Sequence, residues 1–72
     1  MRYYVMIKRT KKGMAAIVVK AFKQYDPGEI FASKLHAGEE LESVKPMSSR
    51  ELAEEFARCM NAHYVSTGQQ MV

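Results

Sequence analysis

The sequence predicts an α+β domain of β-β-β-α type, a three-stranded antiparallel meander packed by one C-terminal helix. Three observations point there. Residues 2–9 read as a strand around the apolar run Tyr3–Ile7, turn signals recur at 10–13 and 26–29, and Ser48–Tyr64 repeats its apolar residues at helical spacing. At 72 residues there is room for one core, and a chain this short buries only about 60% of its unfolded surface. The predicted division is a single domain over 1–64 and a flexible C-terminal tail over 65–72.

Arg2–Arg9 reads as the first strand, with Tyr3, Val5 and Ile7 on one face and Arg2, Tyr4, Met6 and Lys8 on the other. Thr10-Lys11-Lys12-Gly13 is polar and ends in glycine, which suits a hairpin loop. Met14–Tyr25 fits two templates. Its β-branched centre, Ile17-Val18-Val19, favours a strand, and Gly13 is a weak helix cap. Yet Met14, Ile17, Val18, Ala21, Phe22 and Tyr25 would share one helical face, which would give β-α-β-α instead. The strand is preferred.

Asp26-Pro27-Gly28-Glu29 has the composition of a type II turn. Ile30–His36 is assigned as the third strand, with Phe31, Ser33 and Leu35 opposed to Ile30, Ala32, Lys34 and His36, and Ala37-Gly38 ends it. Glu39–Lys45 is acidic and irregular, extended around Leu41 and Val44, and Pro46 closes it. In the last element Ser48 is the expected N-cap with Glu51 completing a capping box. Leu52, Phe56, Cys59, Met60 and His63 or Tyr64 make the apolar stripe, and Glu54–Arg58 is an i, i+4 ion pair.

Charge is divided along the chain. Residues 1–25 carry seven cations (Arg2, Lys8, Arg9, Lys11, Lys12, Lys20 and Lys23) and no acid. Residues 26–72 carry all eight acids against Lys34, Lys45, Arg50 and Arg58, so halves of +7 and −4 sum to the net +3. Such asymmetry suits a charged partner. Lys8, Arg9, Lys11, Lys12, Lys20 and Lys23 are the candidate contacts to nucleic acid or to an acidic protein, with Tyr3, Tyr4, Phe22 and Tyr25 as aromatic neighbours for single strands. Carboxylates at Glu51, Glu54 and Glu55 would repel phosphate, so nucleic acid should meet the hairpin or sheet rather than the helix start.

One helix can cover one face of a sheet. The other face is expected to expose Tyr4 and Met6, with Val18 and Phe22 completing an interface, and three strands leave two edges. Both features predict a homodimer or a protein partner. Cys59, the only cysteine, excludes an internal disulfide. Cys59, His63 and His36 are too few for a structural zinc site, so no metal or cofactor is assigned, and Cys59 and His63 are expected to pack in the core. No phosphate-cradling glycine loop and no paired carboxylates with catalytic spacing occur, which argues against an enzyme. The apolar runs are too short to cross a bilayer and no signal sequence is seen, so a cytoplasmic protein is expected.

These observations favour a small non-enzymatic protein–protein interaction or inhibitor module, of the kind phages and mobile elements encode. It would bind through an apolar sheet face and use the basic hairpin for steering. The alternative is a regulatory protein that contacts DNA or RNA through the hairpin.

Overall fold

A computed structural model of the chain describes residues 2–22 and 26–71. The elements run β1 (Arg2–Thr10), β2 (Gly13–Ala21), α1 (Pro27–Ser33), β3 (Glu40–Met47) and α2 (Arg50–Ser66). Three antiparallel strands and a C-terminal helix make the expected α+β fold. The third strand, however, is Glu40–Met47 rather than Ile30–His36, and the sheet order is β2-β1-β3. The sheet is therefore not a sequential meander.

β1 is the central strand and the hairpin partner of β2, with Val5 opposite Val18 and Ile7 opposite Ala16. On its other side Val5 meets Lys45 and Tyr3 meets Met47, with a bulge at Ile7/Lys8. Because β1 is antiparallel to both neighbours, β2 and β3 run parallel. A parallel return cannot be made by a tight turn; it needs a crossover, commonly helical. Among the described residues, 26–39 belong to it, and α1 forms inside them.

The residues expected to make a type II turn instead start α1. Asp26 is the N-cap, its carboxylate accepting from the Gly28 N–H at 3.0 Å, and Pro27 follows at the first helical position. Gly28 does not take the positive φ that a type II turn requires of it; that region holds Gly13, Gly38 and Gly68.

The two helices lie on opposite faces. On the α2 side Val5, Ile7 and Ala16 pack with Ala53, Ala57 and Tyr64. On the α1 side Met6, Val19 and Phe31 form a second cluster, flanked by Tyr4, Ile17, Ile30, Leu35 and Val44. Tyr4 meets Phe31 edge to face, ring centroids 5.1 Å apart. The face expected to be bare is thus largely closed within the chain, and Met6 is fully buried.

α2 also departs from its expected details. Its N-cap is Ser49, not Ser48, accepting from the Leu52 N–H at 3.2 Å. Its ion pairs are Arg50–Glu54, at 2.9 Å, and Glu55–Arg58. Ala53 and Ala57 face the sheet and let the helix approach closely, whereas Leu52, Cys59 and His63 are exposed. The helix continues past Tyr64 to Ser66. Residues 69–71 then return to the hairpin rather than forming a loose tail, because the Met14 N–H donates to the Gln69 carbonyl and the Met71 N–H to the Lys12 carbonyl, both at 2.8 Å. Val72 lies outside the described residues. No helix among the described residues is long and apolar enough to cross a membrane.

Candidate functional site

The β1–β2 hairpin turns through Lys11 and Lys12, with Thr10 opposite Gly13. Thr10 Oγ1 accepts from the Lys12 N–H at 3.1 Å and donates to the Gly13 carbonyl at 2.9 Å. Gly13 takes φ +106°, and a Cβ there would stand 2.0 Å from the Gln69 carbonyl oxygen. Gln70 Nε2 donates to the Met14 carbonyl at 2.7 Å. The tip is held from within by the threonine and from outside by the C-terminal strap.

Among the described residues the hairpin cations fall into two groups. Lys8 pairs with Glu39 at 2.8 Å and also donates to the Lys34 carbonyl at 3.2 Å. Arg9 pairs with Glu42 at 2.9 Å. Lys11 and Lys12 are exposed and make no ion pair with a described carboxylate. The acidic segment that is remote in sequence becomes β3, and so its carboxylates neutralise the root of the hairpin while the tip keeps its charge. The Arg9–Glu42 pair is partly exposed, and such pairs contribute about 1 kcal/mol or less, so phosphate can compete for Arg9.

Beside the tip lies an open groove of about 400 Å³, lined by Lys8, Thr10, Lys11, Lys12, His36 and Glu39 among others. Glu39 Oε1 accepts from Lys8 Nζ and from the His36 backbone N–H. The Lys8 ammonium, and after it the His36 amide, holds the Glu39 carboxyl below its ordinary value of 4.5.

The remaining expected contacts do not join this site. Lys20 sits opposite Tyr3, roughly 25 Å along β2 from the tip at ~3.3 Å per residue, with its ammonium over the Phe22 ring. Lys23 and Tyr25 lie outside the described residues. The expected apolar interface is also divided: Tyr4 and Met6 are on the α1 face, Val18 packs toward α2, and Phe22 follows the end of β2. Met6 has no surface to offer a partner, since α1 covers it, so the four residues do not form one exposed patch.

Sequence reasoning misses His36 and Glu39 as neighbours of the hairpin. It groups His36 with Cys59 and His63, which are exposed on α2. No three metal-ligating side chains converge among the described residues. The charge complement between Lys8-Arg9 and Glu39–Glu42 is the available signal, and it indicates strand pairing as readily as it indicates a partner. No family model matches the chain, and neither a curated protein nor a solved structure matches it.

Proposed function

We propose that this protein is a small binding module that meets the phosphate backbone of a nucleic acid with the tip of its β1–β2 hairpin. The observation that supports this best is the contrast between Lys11 and Lys12, exposed on a fixed tip, and Lys8 and Arg9, each held by a carboxylate. Fixing the tip beforehand lowers the ordering that binding would otherwise require.

Geometry also limits the mode of contact. A free two-stranded ribbon can enter the DNA major groove. Here β3 flanks β1 as far as Arg9, and the strap flanks β2 at Gly13 and Met14, so little more than the tip projects. Glu40 and Glu42 on β3 further disfavour a flank approach by an anion. Contact through the tip alone touches phosphates rather than base edges, so binding is sequence-independent and modest in affinity.

The test is fluorescence anisotropy of a labelled DNA duplex, titrated with salt. One or two neutralised phosphates give a log–log salt slope of about −1 to −2. The Lys11→Gln/Lys12→Gln variant should lose nearly all of this slope, and an unchanged slope would sink the proposal. The protein-interaction module has weaker support, because its apolar sheet face is largely closed by α1.

A further inference from the structure

We propose that the groove beside the hairpin tip seats a single phosphate group, with Lys8 at its floor and Lys11, Lys12 and His36 at its rim. This deepens the phosphate-backbone proposal above and rests on it. The Lys8 side chain is 10% exposed, yet it lines an open groove rather than a packed core. An ammonium has three donors. Two go to Glu39 Oε1 and the Lys34 carbonyl, which leaves a third for a ligand.

The charge balance selects the ligand class. Lys8, Lys11 and Lys12 against Glu39 leave +2 around the groove, with His36 counted as neutral. Glu39 is the lining carboxylate that would oppose an anion, and its charge is already engaged by Lys8 and by the His36 amide. A cation is disfavoured by that excess, and an apolar ligand would strip water from three ammonium groups without replacing its hydrogen bonds. A phosphoryl group supplies the acceptors and the negative charge. The groove volume of about 400 Å³ is within the usual range of ligand pockets and admits the neighbouring atoms of a phosphoester as well.

The probes are inorganic phosphate and a short DNA duplex, each titrated into the full chain and followed by backbone-amide NMR, with chloride at matched ionic strength as the control. Phosphate should give saturable shifts at Lys8, Lys11, Lys12 and His36 that chloride does not reproduce. Lys8→Met should abolish saturation. Should that variant not fold, the exposed Lys12→Gln change tests the same seat, with roughly tenfold weaker phosphate binding expected from loss of one charge-assisted hydrogen bond. Duplex binding without saturable phosphate shifts would overturn the seat and leave the hairpin-tip function standing. Saturable phosphate binding without duplex binding would support the seat and overturn that function. Absence of both would overturn both.

Discussion

Gly13 meets two separate demands. Its φ of +106° is poorly tolerated by residues with a side chain, and the strap passes so close that an added Cβ would strike backbone. Gly38 has the first demand alone: its φ is +85°, and an added Cβ would meet nothing within 4 Å. Gly38→Ala should therefore cost about 1–2 kcal/mol, the usual penalty of the left-handed region. Gly13→Ala should cost clearly more, because the strap must also move. Thermal melts of the two variants provide the comparison; equal losses would mean that the Gln69 approach contributes nothing. Glycine at position 13 is legible as a turn signal, but the close approach depends on residues more than fifty positions away.

Both sheet edges are blunted, by different elements. On β2 the Asn61 side chain accepts from the Ala16 N–H and donates to the Ala16 carbonyl, both at 2.8 Å, so a helix side chain occupies the place of a neighbouring strand. On β3 the alternation of the ladder turns Pro46, opposite Tyr4, outward, where its missing N–H leaves no ladder bond unmade. Asn61→Leu should lose about 1–3 kcal/mol through two unpaired backbone groups. It should also associate with rising concentration, because the edge is reopened. Denaturant titration and sedimentation measure the two effects, and a variant with the parent's stability and the parent's mass would contradict this role for Asn61. Element legibility follows the same physics. β1 and β2 are readable because short apolar, β-branched runs flank a polar, glycine-ended turn, and α2 because Ala53, Ala57 and Tyr64 recur at helical spacing. α1 is not, because Ile30-Phe31-Ala32 is a short apolar run whose periodicity cannot separate strand from helix, and Asp26-Pro27 serves a turn and a helix start equally well. β3 is hidden because an edge strand with no buried residue keeps the polar composition of a loop.

Across the whole molecule, the charge halves that the chain separates are brought together by the fold. Lys8–Glu39 and Arg9–Glu42 join the basic β1 to the acidic segment at β3, and Lys8 also fastens the crossover through Lys34. The basic half is legible as a candidate site, but its reduction to Lys11 and Lys12 depends on strand order, which composition does not carry. The pairing has a consequence for acid stability. Glu39 titrates below its ordinary value in the folded protein, so its stabilisation is present above about pH 4.5 and is lost as pH falls through the folded value. Glu39→Gln should lower stability at neutral pH and flatten the acid limb of the stability curve below about 4.5. Denaturant titrations from neutral pH down through the acid limb would show it, and a limb identical to that of the parent would refute the assignment.

Strand order also imposes a chronology on folding. The β1–β2 hairpin is a local closure of the kind that forms within microseconds, whereas β3 reaches the far side of β1 only after the crossover has been laid across the sheet. Until then the central strand of the finished protein is itself an edge, with Val5 and Ile7 open to any other extended chain. The interval before β3 docks, rather than the native state, is therefore when this molecule is most exposed to mispairing.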